Sequence, residues 1–110
     1  WIENSASLGT PDLLGYLNNN FFTIELKVVK SGNKIRLSPH QISFHIRHPI
    51  NTFILVKDVK KKRLCMYLGS QIYDIIKNGL KTEPITEDFK TYLEKLTIWT
   101  IIFKNCIIWS

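Results

Sequence analysis

Apolar and polar residues change rhythm several times along this chain, and each change marks an element. Leu13–Leu17 is a short apolar run that ends at Asn18-Asn19-Asn20. Asparagine tolerates left-handed backbone, so this triplet supplies turn chemistry. Phe21–Val29 follows, rich in aromatic and β-branched residues, which is strand composition. Together the two segments predict a β-hairpin. Ser31-Gly32-Asn33 is a second turn. Ser38-Pro39 reads as a helix start, with Ser as N-cap, Pro at the first helical position and Gln41 three residues after Ser38. Ile42 and Ile46 lie four apart, on one face of that helix. Pro49 stops it.

Thr52–Lys57 is a nearly continuous apolar run, as expected of a strand central in a sheet. Lys60–Arg63 is a basic turn and Leu64–Leu68 a further strand. Ser70–Lys77 predicts a short helix stopped by Asn78-Gly79. Thr86 is expected to cap another helix, on which Phe89, Tyr92, Leu93 and Leu96 recur at helical spacing. Ile98–Trp109 is a terminal strand or strand pair, and Asn4–Thr10, small and polar, is a loop. The order β-β-α-β-β-α-α-β describes an α/β protein with a mixed sheet.

With 110 residues, the chain is expected to form one domain over 1–110. Its 45% apolar and 22% charged residues exclude a disordered tail, a collagen-like fibre and a disulfide mini-protein. The 15 Lys and Arg outweigh 9 Asp and Glu, for a net charge of +6. That balance points to a polyanionic partner, a nucleic acid or an anionic surface. Cys65 and Cys106 lack any CxxC or Cys/His spacing and sit in apolar stretches, so both are expected as buried free thiols in a reducing compartment. Ile98–Trp109, broken by Lys104 and Asn105, is about half the ~20 residues a membrane span needs, so it is expected in the core. No signal peptide is evident, and Trp1 in place of Met leads us to expect native residues before it.

The chemistry concentrates between Gly9 and Gln41. Asp12 follows Pro11, and thirteen residues later comes Glu25-Leu26-Lys27, within a predicted strand. Residues i and i+2 of a strand share a face, so Glu25 and Lys27 project together. Burying them is costly unless they are paired or liganded. The hairpin would bring Asp12 near Glu25. Two converging carboxylates are hard oxygen donors for Mg²⁺, which commonly takes one or two of them and fills its octahedron with water and phosphate oxygens. Lys27 beside them could hold the attacking water or offset developing negative charge. Lys30, Lys34 and Arg36 follow the strand and could meet phosphates, as could Lys60, Lys61, Lys62 and Arg63 at their turn. Each of these charges is also compatible with a solvated surface. His40, His45 and His48 fall on the first predicted helix and its end. No third soft ligand accompanies the last two, so zinc is disfavoured, and His40 is expected to be exposed. Trp99, Phe103, Trp109 and Tyr92 read as core or subunit interface. Nothing matches a Walker A loop, a Rossmann fingerprint or a nucleophile elbow, so no organic cofactor is expected.

The run GTPDLLGYLNNNFFTIELKVVKSGNKIRLSPHQ resembles the PD-(D/E)xK nuclease superfamily, and within it the small virus-type replication-repair nucleases (VRR-NUC). Gly9, Pro11, Asp12, Glu25, Lys27, Leu37, Ser38, Pro39 and Gln41 carry the likeness in that order. It covers about residues 9–57, roughly half the chain. The resemblance implies a restriction-endonuclease-like mixed β-sheet flanked by helices. It implies that Asp12, Glu25 and the backbone carbonyl of Leu26 ligate Mg²⁺ or Mn²⁺, that Lys27 is catalytic and that Gln41 faces the site. In many such nucleases an acidic residue on an N-terminal helix joins them, and Glu3 is the candidate here. The implied activity is hydrolysis of DNA phosphodiesters, selective for branched DNA such as four-way (Holliday) junctions, by a homodimer; the apolar C-terminal stretch, with two tryptophans, could form its interface. A phage or other mobile element acting in a bacterial cytoplasm is the implied setting. Two alternatives stay open: a nuclease of duplex or flap DNA, restriction- or homing-like, and a non-catalytic DNA- or protein-binding module on the same scaffold.

Overall fold

The asparagine turn closes the expected hairpin. β2 (Leu13–Leu17) and β3 (Asn20–Val29) pair antiparallel, with Leu13 opposite Ile24 and Leu17 opposite Asn20. Asn19 takes φ 65°, the left-handed conformation asparagine bears more easily than most residues. This is a computed structural model, and it describes residues 2–4, 11–17 and 19–88. A short strand that the sequence pattern did not reveal, β1 (Ile2–Asn4), pairs antiparallel with the outer edge of β2.

After β3 the chain turns through Ser31–Asn33 and enters α1 (Pro39–Arg47). The helix returns it to β4 (Thr52–Asp58), which runs parallel to β3 with Glu25 opposite Ile54 and Lys27 opposite Val56. β5 (Arg63–Leu68) turns back antiparallel to β4. A 3₁₀ turn at Gly69–Gln71, the helix α2 (Ile72–Asn78) and a 3₁₀ turn at Gly79–Lys81 follow. The five strands lie in the order β1-β2-β3-β4-β5, a mixed α/β sheet.

One face of the sheet presents Val29, Ile54, Val56, Cys65 and Tyr67 to Ile72, Ile75 and Leu80, with Ile35, Leu37 and Ile42 closing the cluster. Both described helices cover this face. The other face buries Leu13, Phe22, Ile24, Phe53, Leu55 and Met66. Being covered on both sides is why β4 reads as an unbroken apolar run rather than an alternating one. Cys65 is a buried free thiol whose burial pushes its pKa up.

The face of α1 that meets the sheet runs through Ile42 and His45, while Ile46 is 42% exposed. Two expectations need correction or limits. The helix expected from Ser70 begins as a 3₁₀ turn and becomes α-helical at Ile72. Thr86 forms a one-residue bridge with Met66, although its Oγ1 also accepts the Asp88 N–H at 2.9 Å, as an N-cap would. The helix expected through Phe89, Tyr92, Leu93 and Leu96, the strand or strands of Ile98–Trp109 with Trp99 and Phe103, and Cys106 lie outside the described residues. Most of the expected Asn4–Thr10 loop does too. Among the described residues, no helix is long and apolar enough to cross a membrane.

Candidate functional site

The site forms where β2 stops and β3 continues. Thr23 N–H donates to Asn51 C=O at 3.0 Å, so the odd-numbered residues of β3 direct their backbone groups toward β4 and the even-numbered ones toward β2. Pairing with β2 ends at Leu13 and Ile24. Beyond it, Leu26 N–H donates to Asp12 Oδ2 at 2.8 Å, and Asp12 N–H donates to Glu25 Oε2 at 3.1 Å. Each carboxylate thus takes a backbone N–H from the other's segment. The Leu26 carbonyl belongs to the same strand edge as its N–H, on the side of Asp12.

Glu25 projects from the helix-covered face of the sheet and is only 1% exposed. Lys27, two residues on, shares that face and is half-buried. α1 covers them with its first turn. Gln41 Nε2 donates to Glu25 Oε1, while Gln41 Oε1 accepts both Lys27 Nζ and the Ser38 N–H at 2.9 Å each. Gln41 N–H in turn donates to Ser38 Oγ at 3.2 Å, completing a capping box. One amide side chain therefore caps the helix and links the lysine to the buried carboxyl.

Burial pushes the Glu25 carboxyl up from 4.5 to about 7, and the nearby Asp12 carboxylate adds to the rise. The Asp12 N–H, Lys27 and Gln41 oppose it without cancelling it. The donor set suits a hard divalent cation. Among the described residues nothing donates to Asp12 Oδ1, and each Glu25 oxygen keeps a second lone pair. No group of three or more His, Cys, Asp or Glu converges among the described residues. Two carboxylates and a strand-edge carbonyl therefore fit a partly hydrated Mg²⁺ or Mn²⁺ better than a fully protein-caged ion. Glu3 lies in β1 opposite Leu14, in a strand and not on the helix that the resemblance implies.

His45 was not singled out from sequence as part of this site, yet it lies directly beneath it. It is 1% exposed, and its Nδ1 is 2.8 Å from the Gln41 carbonyl. A carbonyl only accepts, so Nδ1 carries the hydrogen, and buried Nε2 has no partner among the described residues. Burial holds its pKa below the usual histidine range. Its position four residues after Gln41, on the same helix face, is the signal that could have found it. His40 and His48 are exposed.

Lys27, Lys30, Lys34 and Arg36 line one cleft of about 370 Å³ with Val28, Val29 and Ser31. Lys60, Lys61 and Lys62 are exposed in the β4–β5 turn, where Lys62 has φ 52°. Arg63, grouped with them by sequence, has other commitments. Its Nε donates to Asp58 Oδ2 at 3.1 Å and its Nη1 pairs with Glu87 at 2.5 Å. With two carboxylates engaged, it is not counted among the residues available to phosphate. Comparison of the chain with protein-family models, with curated proteins and with solved structures found no match.

Proposed function

We propose that this chain is a divalent-metal-dependent DNA endonuclease of the PD-(D/E)xK type, acting on branched DNA such as four-way junctions. The observation that carries the reading is the linked set Asp12, Glu25, Lys27 and Gln41, drawn together from three separate segments. A structural ion pair would have set Lys27 directly on Glu25. Here an amide stands between them, leaving the lysine half-exposed beside a carboxyl pair.

Asp12, Glu25 and the Leu26 carbonyl would hold Mg²⁺ or Mn²⁺. A cation bound there supplies polarisation of the phosphoryl group and a lowered pKa for a bound water. Gln41 holds Lys27 in place through its Oε1, so the ammonium is pre-positioned to offset charge developing on phosphate oxygens. Glu25 must be ionised to act as a ligand, so cleavage is expected to rise with pH through about 7. Lys30, Lys34 and Arg36 offer cations to flanking phosphates. Two such subunits would supply the paired sites that a symmetric junction needs. The proposed setting is a bacterial cytoplasm.

The test is a gel assay on a labelled four-way junction and its matched linear duplex, with Mg²⁺, Mn²⁺ or EDTA. We expect metal-dependent cutting of the junction that Asp12→Asn reduces by about 100-fold or more. Asn still accepts the Leu26 N–H, so the strand edge survives the change. Equal cutting of duplex or flap keeps the nuclease and discards the junction. Binding with no cutting in any metal would leave a DNA-binding module. Light scattering at micromolar concentration tests the dimer, and a monomer there would refute it.

A further inference from the structure

Twelve of the Lys and Arg residues fall within the described positions, and nine of those lie in 27–36 and 57–63. These two segments are distant in sequence, and their relation depends on the direction of β4. β3 and β4 run parallel with Val29 opposite Asp58, and Val59 N–H donates to the Val29 carbonyl at 3.0 Å. Both segments therefore leave the sheet at the same end. Lys30, Lys34, Arg36, Lys60, Lys61 and Lys62 are all exposed there. Two carboxylates lie at that end, buried Asp58 and exposed Glu87; both are turned onto Arg63, whose one positive charge offsets one of them, so the six exposed cations still dominate. Among the described residues, no acidic one lines the cleft that starts at Lys27.

We propose that the two clusters form a single phosphate track. It starts at Lys27, runs past Lys30, Lys34 and Arg36, and ends on Lys60–Lys62. The inference rests on the nuclease reading in one respect: it takes the polyanion to be the nucleic acid whose scissile bond lies at Glu25. The track leads away from Glu25 in one direction only. Glu25 to Val29 is four residues of strand, about 13 Å at ~3.3 Å per residue, and the turn lies beyond. One strand of a duplex carries a phosphate about every 3.4 Å of axis. The exposed cations beyond Val29 thus begin roughly four phosphates to one side of the cut.

Binding in EDTA separates this from catalysis. Fluorescence anisotropy of a labelled 12-base-pair duplex would be followed from 50 to 200 mM KCl. We expect a single class of site. The triple variant Lys60→Ser, Lys61→Ser, Lys62→Asn should lower the slope of log K against log salt by about 2–3, near 0.9 per lost contact. Asn is chosen at 62 for its tolerance of positive φ. Lys30→Ser, Lys34→Ser, Arg36→Ser should have a similar effect on the same binding event. Arg47→Ser should leave the slope unchanged, since Arg47 ends α1 near the start of β4, at the other end of the sheet. Two classes of site, each removed by one triple variant, would overturn the continuous track. So would a slope indifferent to Lys60–Lys62. A protein that cuts nothing yet shows these slopes sinks the nuclease reading alone, whereas an active nuclease with an indifferent slope sinks the track alone.

Discussion

Replacing Glu25 by Gln should make the metal-free protein less stable in acid and more stable in base. Glu25 is 1% exposed, and its carboxyl is raised to about 7, first by burial and then by Asp12. A carboxyl whose folded pKa lies above its unfolded value favours the fold when protonated. That contribution is complete below about 4.5 and is lost as pH rises through about 7. The interval from 4.5 to about 7, at about 1.36 kcal/mol per pH unit, corresponds to about 3 kcal/mol. The amide of the Glu25→Gln variant has no charge to desolvate, but it offers one oxygen where the carboxyl offers two. Asp12 N–H and Gln41 Nε2 both need an acceptor there, so one donor goes unpaired, at a cost of about 1–2 kcal/mol. The variant should therefore be the less stable by about 1–2 kcal/mol at pH 4.5 and the more stable by about the same amount at pH 8. Urea unfolding in EDTA across that range measures the difference. His45, with its lowered pKa, gains stability as pH rises, in the opposite sense to Glu25. It does so in both proteins and drops out of the subtraction. A stability difference of constant sign and size from pH 4.5 to 8 would refute the reasoning.

Three further outcomes follow from contacts around the site. Gly69→Ala places a Cβ 1.9 Å from Thr52 Oγ1 and 3.3 Å from His45 Cδ2, so it should cost about 1–3 kcal/mol in denaturant unfolding. His45→Leu removes the donor to the Gln41 carbonyl and should lower kcat for cleavage about fivefold with KM little changed, while His45→Asn, which keeps a donor near the Nδ1 position, should recover most of it. Arg63→Ala should lower the thermal midpoint by stranding the Asp58 carboxylate, yet leave DNA affinity nearly unchanged; a loss of affinity as large as that of the Lys60–Lys62 variant would return Arg63 to the phosphate surface.

Local chemistry made much of this molecule legible. Asn18-Asn19-Asn20 announced the hairpin, and Ser38, Pro39 and Gln41 announced the helix start, because turn and cap bonds involve residues only a few positions apart. The spacing of Asp12, Glu25 and Lys27 brought the candidate site into view for the same reason, since one short hairpin joins them. Long-range choices were hidden. No residue of β4 states that it runs parallel beside β3, so the meeting of the two basic clusters had to come from the fold. His45 over Ile46 was hidden too: apolar periodicity favours isoleucine, but the Gln41 carbonyl offers the histidine a bond that offsets its burial. Arg63 read as part of a basic run because Glu87, 24 residues away, is one of its partners.

The bond from Ser38 N–H to Gln41 Oε1 gives the site its own clock. Helix ends open far more often than sheet centres, and such openings need only a fraction of the global unfolding free energy. When the first turn of α1 opens, Gln41 lets go of Ser38, and the same motion releases Lys27 and Glu25. The proposed catalytic arrangement is therefore expected to dissolve and reform many times within the lifetime of the folded sheet. Amide hydrogen exchange at Ser38 would report each of those events directly, and anything that holds Lys27 against Gln41, a bound phosphate above all, should slow it.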